Sequence, residues 1–402
     1  MNNPNELEYN VKYAETHEEA VNVMSLVKEF NVVEGLQSED CVKTQELTQA
    51  LQKELCYCTV ALSVRRDSSR PTTSKATAAH PTGIGYALWF NEYSPETYCK
   101  RLHLSDLFVL RRHRKRGIAR KLLQTIVLNA KQNNATYIKW DAQSGRTSTN
   151  FYSKINAKTL RDVSEFSLDT DALKVLVKNA AETQQASQSS ILIVDGKHDE
   201  LRRSFRKTVA ECLQPKHQDI NISANIELYL SDPNTLCYYI VREECSKQKS
   251  VKDGGHKSSG NQIVAWILMT QIFSTCDGAI MSLVDVYVLP KFRRNHYATQ
   301  LMMHAAKVCI QRELSGILWN VSLENAGAIQ FSRYIESICT NSESAINSTP
   351  LTHTPQRTTF QSGTNGNSSN NNKVKFSVEN IELTKYTEFC LDASQFDKFL
   401  SG

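Results

Sequence analysis

Apolar and polar positions in the first half of the chain alternate with two different periods. Short apolar runs rich in β-branched and aromatic residues predict strands at 9–14, 57–64, 84–92, 104–110, 137–141 and 165–168. Longer stretches with helical spacing predict helices at 44–55, 117–133 and 147–154. A further helix opens at Thr16, where Glu19 completes a capping box. The pattern predicts an α/β (α+β) domain with a mixed, mostly antiparallel sheet flanked by helices.

This pattern occurs twice along the chain. The apolar runs at 85–89 and 104–110 correspond to those at 265–269 and 283–289, and Trp140 corresponds to Trp319. The offset between matching positions is nearly constant through these segments. It becomes much larger at the last match, which aligns Phe166 with Phe389. The chain is therefore a divergent tandem repeat.

The repeat divides the chain into two predicted domains. The first spans residues 1–180, a linker spans 181–190, and the second spans 191–402. The change of offset marks a Ser/Thr/Asn-rich insert at about 340–372 in the second domain, which we expect to be disordered. Polar tracts at 66–82 and 246–261 lie at equivalent places in the halves and predict long hairpin loops.

The composition narrows the class of protein. With 402 residues, 40% of them hydrophobic and 22% charged, the chain has enough apolar material for two soluble cores. Its 11 cysteines are scattered without the paired spacing of a zinc site, so no metal is expected. The polar N-terminus predicts no signal peptide, and the lack of an apolar run of membrane-spanning length predicts no membrane partner. We expect a cytoplasmic protein, with the nucleus as an alternative.

A basic joint connects the strand at 104–110 to the helix at 117–133. It reads Arg114-x-x-Gly117-x-Ala119, and the first turn of a helix offers unpaired N–H groups that suit a pyrophosphate. The surrounding cluster at 111–116 also fits a nuclear-import signal or a nucleic-acid patch. The strand–turn–helix context favours coenzyme phosphate over nucleic acid.

The motifs in order are GYALWFNEYS, LSDLFV, RKRGIA, a tryptophan at 140 and NFYSKINA. This set resembles the GCN5-related N-acetyltransferases (GNAT proteins), and within them the diamine (spermidine/spermine or thialysine) N-acetyltransferase branch. The similarity covers residues 9–178 and, more weakly, 190–400. It implies a GNAT fold, acetyl-CoA as co-substrate and transfer of the acetyl group to an amine.

The resemblance also implies roles for individual residues of the first half. Backbone groups of Phe108 and Val109 would polarise the thioester, and Tyr152 would protonate the departing thiolate. Glu34 and Asp106 would meet the cationic acceptor. The coenzyme loop would comprise Arg114, Lys115, Arg116, Gly117, Ile118, Ala119 and Arg120.

Three positions of the first half depart from the family pattern. Ser105 replaces a glutamate that helps to draw a proton from the amine, Gly145 replaces an asparagine, and Asn156 replaces the glycine of a Gly-Ala pair. Other interpretations stay open for three residues. Tyr152 could be a core aromatic, Asp106 a structural acid and Glu34 a solvated surface residue.

The second half departs further. His296 stands where the loop has Gly117, and its imidazole would intrude on the pyrophosphate unless the loop shifts. Ser332 replaces the tyrosine and Val284 the glutamate, while Asp285 and Asn325 remain. We therefore interpret this half as a degenerate GNAT domain that keeps the fold.

The sequence thus predicts an N-acetyltransferase that acts on a small polyamine-like or lysine-like amine by direct attack, with its chemistry in the first domain. The second domain would be a pseudo-enzyme scaffold, and the two would pack as an intramolecular pseudo-dimer. Two alternatives remain. One is a non-catalytic acetyl-CoA-binding or interaction module with both domains degenerate, and the other is an acetyltransferase for protein lysines or N-termini.

Overall fold

The structure is a computed structural model, and it describes residues 8–37, 41–64, 81–143, 149–184, 192–197, 199–213, 218–243, 261–340 and 385–401. The predicted insert at 340–372 and the polar tracts at 66–82 and 246–261 lie almost wholly outside these residues. Gly145 and most of the predicted linker also lie outside them.

The first half alternates strands and helices in the order that the sequence predicts up to its last strand. A helix that was not predicted follows this strand and extends into the predicted linker. The described elements of this half are β1 (Glu8–Tyr13), α1 (His17–Glu34), α2 (Thr44–Gln52), β2 (Tyr57–Val64), β3 (Thr82–Tyr93), β4 (Lys100–Val109), α3 (Ile118–Gln132), β5 (Tyr137–Gln143), α4 (Thr149–Lys154), β6 (Lys158–Asp169) and α5 (Thr170–Gln184). The predicted cap of α1 is present, with the Glu19 amide donating to Thr16 Oγ1 and the Thr16 amide to Glu19 Oε2. The last strand is longer than predicted, because β6 starts at Lys158 rather than near 165.

The second half repeats this order. Its described elements are β7 (Leu192–Asp195), α6 (Asp199–Leu213), α7 (Ile222–Ser231), β8 (Thr235–Glu243), β9 (Asn261–Ser274), β10 (Gly278–Val288), α8 (Tyr297–Gln311), β11 (Gly316–Ser322), α9 (Ala326–Thr340), β12 (Lys385–Asp392) and α10 (Ala393–Ser401). Each half therefore has the mixed α/β composition predicted for it.

All twelve described strands form one sheet, in which the halves exchange their last strands. The strand order is β1-β2-β3-β4-β5-β12-β6-β11-β10-β9-β8-β7. β12 of the second half pairs antiparallel with β5, placing Phe389 opposite Trp140. β6 of the first half pairs antiparallel with β11, placing Phe166 opposite Trp319. The exchanged strands also pair with each other at the middle of the sheet.

The helix that follows each exchanged strand also packs against the other half. Leu173 and Leu176 of α5 are buried in the core of the second half. Phe396 and Phe399 of α10 are buried in a core of the first half. Each half therefore needs residues of the other to complete its core.

The sheet opens in the middle of each half. β4 and β5 are parallel neighbours that pair in the described residues only at Leu102–Ile138 and His103–Lys139. Beyond these pairs the two strands diverge, so the edge of β4 near Phe108 and Val109 faces a gap. β10 and β11 diverge in the same way after the Ser282–Leu318 pair. These gaps open into one cavity that borders β4 and β10.

Candidate active site

The loop between β4 and α3 has the backbone that its glycine predicts. Gly117 is the N-cap of α3 at φ 78°, in the left-handed region where glycine is favoured. The Arg114 side chain turns back and its Nε donates to the carbonyl oxygen of Val109 at 2.9 Å. A Cβ on Gly117 would meet only the Tyr9 hydroxyl, at 3.7 Å. The backbone conformation of the loop therefore favours glycine, and the loop leaves open space outside the first turn of α3, as an anion site needs.

The second half keeps this loop geometry. His296 is the N-cap of α8 at φ 59°, and Arg294 has the same φ of 62° as its counterpart Lys115. Arg293 Nε donates to the carbonyl oxygen of Val288 at 3.2 Å, as Arg114 does in the first half. The loop has thus not rearranged to accommodate the histidine. The exposed imidazole is the main difference between the two loops.

Tyr152 lies on α4 within an aromatic cluster. Its ring centroid is 5.1 Å from that of Trp140 and 5.3 Å from that of Phe389, which the exchanged β12 supplies. Burial, with the nearby charge of Glu34, raises the pKa of Tyr152 to about 12. The phenol therefore keeps its proton at neutral pH and can act as an acid.

The two predicted acceptor-binding acids have different surroundings. Glu34, at the end of α1, is half-buried and close enough to Tyr152 to affect its pKa. Asp106 is only 5% exposed and accepts hydrogen bonds from the Tyr86 hydroxyl at 3.1 Å and the Thr275 hydroxyl at 3.0 Å. Thr275 belongs to the β9–β10 hairpin, so the second half helps to hold an acid of the first. No local sequence pattern indicates this contact, because its partners lie in different halves of the chain.

A cavity of about 1110 Å³ brings these residues together. It exceeds the range of roughly 300–1,000 Å³ that is usual for one small ligand, because residues of both halves line it. Of the predicted site residues, Arg116 alone does not line it; those that do are Glu34, Asp106, Phe108, Val109, Arg114, Lys115, Gly117, Ile118, Ala119, Arg120 and Tyr152. Arg120 is also tied to the exchanged helix α10, because its Nη2 donates to the carbonyl oxygen of Phe399 at 3.2 Å.

The second half lines the same cavity with different chemistry. Ser332, at the place of Tyr152, is 1% exposed and accepts a hydrogen bond from Trp319 Nε1 at 2.8 Å. Burial raises the pKa of Asp285 to about 6, against the lowering effect of hydrogen bonds from Tyr98 and Trp266. Tyr98 comes from the β3–β4 hairpin, so each half holds the equivalent acid of the other.

A buried group of charged residues that lines the cavity was not predicted. Lys139 on β5 is bonded to Glu388 on the exchanged β12, with Nζ to Oε1 at 2.6 Å, and Arg161 on β6 contacts the same carboxylate at 2.8 Å. Burial tends to raise the pKa of Glu388, but these two cations outweigh it and lower the pKa to about 2. The sequence shows only that Lys139 is a charged residue inside an apolar strand. Its partner on β12 can be identified only when the exchanged strand pairing is known.

No cluster of three metal-binding side chains occurs among the described residues. Within the same residues no helix is both long and apolar enough to cross a membrane.

Comparison with known families identifies both halves. Residues 201–334 match the acetyltransferase (GNAT) family, and residues 78–156 match a GNAT acetyltransferase domain. No curated protein matches the chain in sequence.

The solved structures that are similar to the chain include two that cover most of its length. A tandem GNAT protein from the clavulanic acid biosynthesis pathway is 13% identical, with a TM-score of 0.46, over 82% of this chain and 94% of that one. A GCN5-related N-acetyltransferase from Sphaerobacter thermophilus is 12% identical, with a TM-score of 0.48, over 97% and 96% of the two chains. The two family matches together span more than half of the sequence, and the chain is therefore a GNAT family protein with two GNAT domains in tandem.

Proposed function

We propose that the chain is an acetyl-CoA-dependent N-acetyltransferase whose chemistry takes place in the first half. One observation supports this most strongly. In the first half, a glycine-capped anion loop and a protonated tyrosine line the same cavity. In the second half the loop carries His296, and a buried serine bonded to Trp319 stands in place of the tyrosine.

The residues fit a coenzyme that carries a pyrophosphate. The open space outside Gly117, the first-turn amides of α3 and the side chains of Arg114 and Lys115 would hold the phosphates. Bound acetyl-CoA would supply a thioester as the acyl donor. Tyr152 would give its phenolic proton to the departing thiolate, since the phenol is protonated at neutral pH.

The acceptor in this proposal is a small polyamine-like or lysine-like amine. Carboxylates suit a cationic amine, and both Glu34 and Asp106 line the cavity. The second half would act as a scaffold that replaces the partner subunit of a dimer. The exchanged strands and the contacts of Thr275 with Asp106 and of Tyr98 with Asp285 support this intramolecular pseudo-dimer.

The test is to measure acceptor-dependent thiol release from acetyl-CoA with the full chain. The panel contains diamines, polyamines, thialysine and lysine-containing peptides. Release with the small amines is the expected result, and release with peptides alone would point to a protein acetyltransferase. If the chain binds acetyl-CoA but releases no thiol with any acceptor, the enzyme proposal fails and the binding-module alternative stands.

A further inference from the structure

Ser105 occupies an irregular position in β4. Leu88 of β3 pairs with Asp106 and the next residue, Trp89, pairs with Leu104, so Ser105 is the extra residue of a β-bulge. Bulges commonly redirect a side chain next to an active site. Ser105 is half-buried and lines the cavity. Ser105 thus borders the space that an acceptor amine would enter.

The Ser105 hydroxyl connects the cavity to a buried carboxylate. Ser105 Oγ donates to Asp106 Oδ1 at 3.2 Å. The other carboxylate oxygen, Oδ2, accepts from the Tyr86 and Thr275 hydroxyls. These two donors fix Asp106 from opposite halves of the chain and orient Oδ1 toward Ser105. The oxygen of Ser105 keeps acceptor capacity of its own, since a hydroxyl has two lone pairs.

We propose that Ser105 is a catalytic residue that passes the proton of the acceptor ammonium to Asp106. This rests on the proposed acetyltransferase function and accounts for the missing glutamate. An N–H bond of the ammonium breaks and its proton bonds to Ser105 Oγ. At the same time the Ser105 hydroxyl proton moves to Asp106 Oδ1, so the carboxylate becomes a carboxylic acid. The amine lone pair is then free to attack the thioester, and the proton later returns through the same hydroxyl to water.

The second half lacks this connection. Val284 stands at the place of Ser105, and the buried Asp285 accepts hydrogen bonds from Tyr98 and Trp266 on one oxygen, Oδ2. A valine side chain has no hydroxyl that could pass a proton from the cavity to this carboxylate. The relay occurs only in the half that also carries Gly117 and Tyr152, which is where the chemistry is proposed.

The test compares wild type with Ser105→Ala in the full chain, using an amine that the panel identifies as an acceptor. We expect kcat at pH 7 to fall by roughly 10²-fold or more, with the Kd for acetyl-CoA unchanged. The unchanged Kd also shows that the variant is folded. Ser105→Thr, which keeps the hydroxyl, should recover most of the rate, and Val284→Ala at the equivalent place serves as the control.

The pH dependence separates a relay from a structural role. An alkyl ammonium loses its proton unaided near its ordinary pKa of about 10.4. The deficit of Ser105→Ala should therefore shrink as the pH rises from 7 toward 10. A wild-type rate at pH 7, or a deficit that stays constant with pH, overturns the relay and leaves the proposed function in place. Absence of turnover in wild type overturns both.

Discussion

Tyr152 and Ser332 occupy equivalent positions of the repeat in opposite surroundings. Tyr152 lies among aromatic rings with its phenol at the cavity, while Ser332 is buried and bonded to Trp319. The sequence predicted the difference in residue type, but not the buried hydrogen bond between Ser332 and Trp319. It could not predict that Phe389, from the far end of the chain, forms part of the packing around Tyr152.

We expect Tyr152→Phe to slow acetyl transfer by roughly ten- to a thousandfold, because the thiolate loses its proton donor while the aromatic packing remains. Steady-state kcat in the thiol-release assay measures the effect. The pKa of about 12 also predicts the pH dependence. The tyrosine stays protonated from pH 7 to 10, so its ionisation should not lower kcat in that interval. Tyr334→Phe, an exposed tyrosine of the second half, is the matched control. An unchanged kcat for Tyr152→Phe would remove this residue from the mechanism.

At the scale of elements, the loop–helix joints of the two halves have the same shape but different side chains. The left-handed N-cap was predictable at Gly117, because a glycine at a strand–helix joint is favoured there. It was not predictable at His296, where the surrounding loop imposes a conformation that few non-glycine residues adopt. The shared shape means that the two loops can be compared by exchanging a single side chain.

Gly117→His should weaken acetyl-CoA binding by tenfold or more, equivalent to about 1.4 kcal/mol, because an imidazole would fill the open space outside the loop. The loss of stability should be about 1 kcal/mol, the strain of a non-glycine residue at positive φ. Isothermal titration calorimetry and urea unfolding measure the two quantities. His296→Gly should leave the affinity of the first half unchanged. Wild-type affinity in Gly117→His would contradict the assignment of the loop.

The exchanged strand β12 is held to β5 by the buried pair of Lys139 and Glu388. Glu388→Gln should cost about 1–3 kcal/mol of unfolding free energy, because it removes the closest carboxylate of Lys139. Glu92 and Asp141, at 3.7 and 3.9 Å from the lysine Nζ, still offset part of the buried charge. The exposed pair of Lys131 and Asp397 on α3 and α10 provides the control, and Asp397→Asn should change stability by less than about 0.5 kcal/mol. Urea denaturation at pH 7 tests both.

The same pair gives a pH dependence with a defined sign. The pKa of Glu388 is lowered from its ordinary 4.5 to about 2, so the folded state holds this carboxylate ionised more strongly than the unfolded state does. The contribution of Glu388 to the unfolding free energy is present above pH 4.5 and is lost as the pH falls toward 2. The stability difference between wild type and Glu388→Gln should therefore narrow over this interval. A difference that is constant from pH 6 to pH 3 would show that the ion pair contributes little.

At the scale of the whole molecule, the tandem GNAT architecture was predictable and the strand exchange was not. The repeat and the order of strands and helices can be predicted from the local spacing of apolar residues. The strand with which each last strand pairs cannot be predicted in this way. The segments around Phe166 and Phe389 share the pattern Ser/Thr-Glu-Phe, and each could complete either half of the sheet. The cavity that spans both halves depends on that choice, so its charged lining could not be predicted either.

The strand exchange has a consequence for how the protein is made. α5 ends at Gln184 and β12 begins only at Lys385, yet the sheet and core of the first half include β12 and α10. At ribosomal rates this interval lasts roughly 10 to 40 s, during which the nascent first half has an open edge at β5. Phe389, and with it the packing around Tyr152, arrives only at the end of this interval. The active site is therefore assembled late, and incomplete chains would stay inert even though they contain every residue proposed to take part in catalysis.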